Sequence, residues 1–230
     1  MTQRSILAGN SPTVIIRVGG SVTVKGYDSD RVTAETEKMS GLRVEKRSES
    51  EVARARAAVG DFVLFDLRFK LPRFQEKSTD EDAVEVKMGG GGEVLVPFKS
   101  NVKVYAGKDI EVENVFGQVD AYSGGKLCIE GVHFLRYASA GRAMDLDCHA
   151  LVEDNVEFKA GSNIRLHVQE LTSAFIRVKD MGGYWEARIG SGDEKSIYLK
   201  CGGDVTLVTD QEVVPLPPNF ILGNIEKPAE

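Results

Sequence analysis

The stretch LCIEGVHFLRYASAGRAMDLDCHALVEDNVEFKAGSNIRLHV (127–168) decides the fold class. Within it LCIEG, MDLDC and IRLHV each alternate apolar with polar residues, the period of a strand that buries one face. The alternation puts Leu127 and Ile129 on the inner side of the first run. Met144, Leu146 and Cys148 take that side of the second, and Ile164, Leu166 and Val168 that of the third. Between the runs stand Ala140-Gly141 and Ala160-Gly161-Ser162-Asn163, which are turn residues.

Working outward, the same pattern extends from residue 94 to 209. The first apolar residues of alternate runs are Ile110, Leu127, Met144, Ile164, Trp185 and Val205, and those of the interleaved runs are Val119, Leu135, Val156, Ile176 and Ile197. The first series advances by 17–21 residues and the second by 16–21, which suggests a coil of about 17–21 residues per turn that lays down two strands in each. The expected fold is therefore all-β: a two-layer β-solenoid, β-helix- or β-roll-like. An antiparallel β-sandwich, whose strands recur at intervals of roughly 8–12 residues, stays open as the alternative. Turn glycines recur at 124–125, 141, 161, 182–183, 190, 192 and 202–203. Their expected role is to supply positive φ at the corners of the coil.

Residues 1–93 are less regular and read as a β-rich N-terminal lobe or cap. VIIRV (14–18), VTVKGY (22–27), VTAETE (32–37) and LRVEK (42–46) predict four short strands. One short helix is predicted over 48–59, with Ser48 as N-cap, Glu51 completing a capping box and Gly60 as its stop. FVLFDLRF (62–69) predicts a buried strand, 70–83 a charged loop, and Gly89–Gly92 a hinge before the repeat region of 94–210. The Pro-rich tail, 211–230, is expected to end the sheet. The three parts are expected to form one continuous structural unit.

Glycine supplies 24 of 230 residues, above the usual share of about 7%. Against 29 basic residues stand 35 acidic ones, for a net charge of −6. Nucleic-acid binders draw affinity from a basic surplus, so nucleic acid is excluded as a partner, as is an anionic membrane surface. No apolar run is long enough to span a bilayer, and MTQRSILAGNSPT lacks the apolar segment of a signal peptide. No membrane insertion is expected. The expected location is the cytoplasm, or the cell surface if a signal has been removed.

The segment GEVLVPFKSNVKVYAGKDIEVENVFGQVDAYSGGKLCIEGV (92–132) resembles the putative-adhesin family of bacterial proteins, related to the head-GIN adhesin-like domain. The shared features are strands separated by small-residue turns that often end Gly-Asp. Here Gly107-Lys108-Asp109, Gly117-Gln118, Gly125-Lys126 and Gly203-Asp204 stand at such turns. VGGSVTVKGYDSDRVTAETE (18–37) is similar to the family's first strands. Ala140-Gly141-Arg142 and Ser162-Asn163 depart from the Gly-Asp pattern. The resemblance implies a β-solenoid and a role at the cell surface, and it brings no catalytic residues with it.

No catalytic, cofactor-binding or metal-binding residue is assigned from the sequence, and no cofactor is expected. The cysteines Cys128, Cys148 and Cys201 and the three histidines show no zinc-like spacing. Parity turns Cys128 and His167 outward and Cys148, Cys201 and the lone Trp185 inward. Glu111, Glu113, Asp120, Glu130, Asp145 and Asp147 are expected on an outward face. There they form either a cation-binding carboxylate ladder or a solvated face broken by Lys126 and Arg142. The Gly89–Gly92 run lacks the Lys-Ser/Thr and the following helix of a phosphate loop.

The expected function is that of a non-enzymatic structural or scaffold protein. It would act by self-association or by presenting an elongated β surface to a protein partner. A bactofilin-like cytoskeletal polymer is the nearest rival. A carbohydrate-active enzyme using Asp80, Glu81 and Asp82 of the 70–83 loop is the alternative from another class. A ligand-binding module is a third, though no residue selects its ligand.

Overall fold

The computed structural model describes residues 2–36, 41–46, 83–181, 183–190, 195–209, 213–214 and 221–222. Among these the regular elements are all β-strands and none is a helix, as the alternating runs predict. The helix expected over 48–59, the strand over 62–69 and loop residues 70–82, with Asp80, Glu81 and Asp82, lie outside the described residues.

The strands form two ladders with parallel pairing through their middles. Ladder A runs in the order β6 (Val84–Met88), β2 (Thr13–Val18), β8 (Asn101–Ala106), β10 (Gln118–Ser123), the second half of β11 (Leu127–Ala140), β13 (Asn155–Ala160), β17 (Ser196–Lys200) and β15 (Ala174–Asp180). Ladder B runs β7 (Gly92–Pro97), β3 (Val22–Tyr27), β9 (Ile110–Glu113), the first half of β11, β12 (Met144–Leu151), β14 (Ile164–Val168), β18 (Val205–Val208) and β20 (Ile221–Leu222). Antiparallel strands stand at the margins. At one end β5 (Arg43–Lys46) pairs with β6, β4 (Arg31–Thr36) with β7, and β1 (Thr2–Leu7) with β4. At the other, β16 (Gly183–Ile189) pairs with β15 and β19 (Val213–Val214) with β16.

Strand β11 belongs to both ladders. Its register shifts between Ile129 and Val132, where Gly131 takes φ +63°. A bulge with a left-handed glycine bends the strand, so its two halves can serve different ladders.

The core lies between the ladders. In-register pairing stacks Val22, Ile110, Leu127, Met144, Ile164 and Val205 in one column of ladder B, and Val24, Val112, Ile129, Leu146, Leu166 and Leu207 in the next. Ladder A answers with Val86, Ile16, Val104, Ala121, Ala138, Phe158, Leu199 and Val178. All belong to a single buried cluster. Burying one Val, Ile or Leu side chain contributes about 1.5–3 kcal/mol, so these columns are the main favourable term.

The expected spacing holds over part of the chain. Ile110, Leu127, Met144 and Ile164 are consecutive neighbours across the ladder, and each step falls within the expected interval. The next neighbour of Ile164 is Val205, twice that interval along the chain, and the step between Val22 and Ile110 is several times longer. Trp185 is not in the series. Its backbone pairs antiparallel with Val178, because β15 and β16 form a hairpin through Gly183 at φ +136°. Strand β17 then inserts between β13 and β15. The Pro-rich tail also continues the sheet where it was expected to stop. Two-residue strands β19 and β20 flank Pro215, Pro217 and Pro218 in sequence, and strands that short avoid the missing proline N–H.

Candidate binding groove

The groove begins at the corners where the chain leaves ladder A. Gly89, Gly19, Gly107, Gly124, Gly141, Gly161 and Gly202 stack there, each against the next. A Cβ on Gly107 would lie 2.6 Å from the Gly19 carbonyl oxygen, and one on Gly19 would lie 2.7 Å from that of Gly89. At Gly124, Gly141, Gly161 and Gly202 it would come closer still to the glycine carbonyl beneath. None of these seven has positive φ; among the described residues the glycines that do are Gly9, Gly41, Gly131, Gly183 and Gly190. The corner glycines are thus needed for close backbone approach rather than for left-handed turns, which corrects the expectation at 124–125, 141, 161 and 202–203. The same packing corrects the hinge expected at Gly89–Gly92. Gly19 and Gly20 donate to the Met88 and Gly90 carbonyls, and Gly92 donates to that of Ser21, so this run is a stacked corner.

Side-chain amides and carboxylates lock the corners together. The Lys126 N–H donates to Asp109 Oδ1 at 2.7 Å, and the Asp204 N–H to Asn163 Oδ1 at 3.1 Å. A Cβ on Gly125 or Gly203 would strike those same oxygens. Asn163 therefore does in its corner what Asp109 does in Gly107-Lys108-Asp109, despite the different residue type.

Beside the corners, the outward residues of ladder A line a groove of about 1090 Å³. It crosses β2, β8, β10, β11, β13 and β17, six strands and hence about 24 Å at the usual strand spacing of roughly 4.8 Å. Small residues (Ala106, Ala140 and Ala160 with the corner glycines) form one side. The other is a stack of phenol rings, Tyr105 on Tyr122 at 4.8 Å and Tyr122 on Tyr137 at 4.5 Å, with the Arg17 guanidinium 4.8 Å above the Tyr105 ring. Burial, and then the neighbouring tyrosines, push the Tyr122 phenol well above its ordinary value, and burial raises Tyr137. Both rings therefore stay protonated and uncharged beyond the usual phenol range.

Among the described residues, the charged members of the lining are Arg17, Lys159 and Lys200, with no Asp or Glu. By register they belong to one outward row: Lys87, Arg17, Tyr105, Tyr122, Ser139, Lys159, Lys200 and Lys179. Arg17 meets Glu85 at 3.2 Å and Lys159 meets Glu157 at 2.7 Å, both acids standing in the adjacent row. Lys179 and Lys200 have no ion pair among the described residues.

The six acids singled out from the sequence do not form one ladder. Asp120 is buried on ladder A, where Arg136 binds both its oxygens, with Nε to Oδ1 at 2.8 Å. It still alternates outward between the inward Val119 and Ala121, but Arg136, the residue that β11 skips in its pairing with β10, lies over it and buries it. The other five face outward from ladder B, but Cys128 separates Glu111 from Asp145 in one row. Lys25 bridges Glu93 and Glu113, each at 3.5 Å, Arg165 stands by Asp145, and His167 Nδ1 lies 3.2 Å from Asp147. Cys128 is exposed and Cys148 and Cys201 are buried, as parity required. Burial pushes the Cys148 thiol up to about 12. The side chain of Trp185 lies outside the described set.

The sequence reading missed the tyrosine stack and a second one, Phe98, Phe116, His133 and His149, with centroids 4.9, 4.8 and 5.5 Å apart. A signal existed: Tyr105 and Tyr122 are separated by the same step as Ile110 and Leu127. Tyr137 follows sooner than that step because it stands in the adjacent outward row: the register partner of Tyr122 is Ser139, and Tyr137 is opposite Asp120.

No family model matches the chain, so membership of a specific adhesin family finds no support there, and no curated protein matches it. Among solved structures, the chain is similar to a putative cell adhesion protein from Clostridium sporogenes at 8% identity and a TM-score of 0.41, covering 91% of this chain and 99% of that one. Among the described residues no helix is long and apolar enough to cross a membrane.

Proposed function

We propose that the two parallel ladders are successive turns of one two-stranded coil, a two-layer β-solenoid. We propose further that the chain is a non-enzymatic scaffold presenting a long side of that coil to an extended partner. The observation that carries this reading is the acid-free groove across six strands of ladder A. Among the described residues its lining holds no His, Cys, Asp or Glu to act as base, acid or strong nucleophile, which favours binding over chemistry.

The margins favour side presentation over end-to-end growth. Among the described residues β5 is the outermost strand of ladder A at one end, four residues long, with Arg43, Glu45 and Lys46. Short, charged antiparallel edges discourage the addition of another chain. Sedimentation velocity over a wide concentration range, with negative-stain microscopy, tests the reading. A concentration-independent monomer is expected, and filaments or growing oligomers would overturn it in favour of a bactofilin-like polymer.

A further inference from the structure

We infer that the groove of ladder A binds an acidic polysaccharide, a linear carboxylated glycan laid across the strands. This rests on the side-presentation reading and names its ligand class. The chain carries 35 acidic and 29 basic residues, so an average patch of its surface is acidic. The groove departs from that average, since Arg17, Lys159 and Lys200 line it without any acid. Register extends the basic row to Lys87 at one end and Lys179 at the other. A cleft lined by one sign of charge concentrates ligands of the opposite sign.

Geometry selects the kind of anion. The row's cations form two groups, Lys87 with Arg17 and Lys159 with Lys200 and Lys179, parted by Tyr105, Tyr122 and Ser139. Within a group they stand on adjacent strands about 4.8 Å apart, which suits a long chain carrying ionic groups at short intervals. The row runs at right angles to the strands, so a chain lying in it pairs with no strand edge. The corner amides are also engaged: Gly107, Gly124, Gly141 and Gly161 donate to the carbonyls of Val18, Ala106, Ser123 and Ala140. An acidic peptide would find charge here but no partner for its backbone. A glycan has no such need, because its hydroxyls and carboxylates are lateral groups. The tyrosine rings cover one another and Arg17 covers Tyr105, so they offer edges and the ligand is held by charge and hydrogen bonds rather than ring-face stacking.

Calorimetry or biolayer interferometry on the full chain tests this, with polygalacturonate as probe, dextran as neutral glycan and poly-L-glutamate as acidic peptide. Polygalacturonate is expected to bind, more weakly as salt rises, with both controls much weaker. Replacing two exposed charges, Lys159→Gln with Lys200→Gln, should weaken binding by about tenfold. Lys25→Gln with Arg165→Gln, on ladder B, should leave it unchanged. Thermal melts of both variants should match the parent. The inference is overturned if polygalacturonate does not bind, if poly-L-glutamate binds as tightly, or if the groove variant binds like the parent. Any of these leaves the monomer-or-filament result standing, so the two readings fall separately.

Discussion

Gly141→Ala isolates the claim that the corner glycines permit close stacking. The added Cβ would lie 3.0 Å from the carbonyl carbon of Gly124 and closer still to its oxygen. Both groups are backbone, so no side-chain rotation relieves the clash, and one corner must lift from the other. That movement strains the bond from the Gly141 N–H to the Ser123 carbonyl, 2.9 Å long, and the neighbouring bond from the Arg142 N–H to the Gly125 carbonyl, 3.0 Å. Overpacking costs about 1–3 kcal/mol and each weakened hydrogen bond up to about 1 kcal/mol. The stiffer unfolded chain returns about 0.4–1 kcal/mol. The expected net loss is about 2–3 kcal/mol, or roughly 4–12 °C in Tm for a chain of this length. Urea melts followed by circular dichroism give the value, provided the slope matches the parent. Gly9 is the control: it has φ +82° and nothing within 4 Å of where a methyl group would stand, so Gly9→Asn should be mild and Gly141→Asn severe. A Gly141→Ala chain within about 0.5 kcal/mol of the parent, or one in which Asn is better tolerated than Ala at 141, would refute the stacking argument.

Asp120→Asn removes the charge that Arg136 grips with two nitrogens. Because Asp120 is buried and Arg136 only partly so, the loss in a urea melt should be about 2–3 kcal/mol, against under about 1 kcal/mol for a surface pair. The Tyr122 phenol has a folded-state pKa above its unfolded value near 10, so its contribution is complete below that pH and is lost as pH rises past it. Tyr122→Phe should therefore flatten the alkaline limb of stability measured upward from about pH 10, and an unchanged limb would count against the buried stack. Burial, then Asp145 and Glu111, raise the Cys128 thiol. Its alkylation by iodoacetamide at mildly alkaline pH should be slower than that of a free small-molecule thiol and faster after Asp145→Asn with Glu111→Gln; equal rates before and after would refute the carboxylate effect.

The strands were largely legible in the sequence because each carries its own evidence of a buried face. Val14–Val18, Val22–Tyr27, Leu127–Glu130 and Ile164–Val168 all fall within strands as predicted. The inward placement of Cys148 and Cys201 followed from the same parity. Asp120 failed because alternation reports a side chain's face and not what covers it: it points outward as parity required, and Arg136, skipped in the β10–β11 pairing, closes over it. The groove was illegible for a different reason. Arg17, Tyr105, Tyr122, Lys159 and Lys200 each look like ordinary surface residues, and only the pairing of β2, β8, β10, β13 and β17 puts them together.

That difference also explains why a regular spacing can persist where the neighbours change. Alternation reports that a strand has one buried face; it does not report which strand lies beside it. From Ile110 to Ile164 consecutive runs are spatial neighbours, and the step in sequence equals the step in space. Beyond Ile164 the hairpin of β15 and β16 has strands about as long as the others, so the apolar runs keep nearly the same interval while the chain reverses. Strand β17 then returns to the place a regular succession of strands would have given β15. The glycine column discriminates where the apolar period does not. Gly202 stacks on Gly161, skipping Gly183 and Gly190, whose positive φ marks them as reversal points. Among the described residues, then, a stacked corner glycine lacks positive φ, and Gly131 and Gly183, which have it, mark a bulge and a hairpin. The residue type alone is the same in both cases; the backbone angle separates them, and with it the strands that share the basic row from those that leave it.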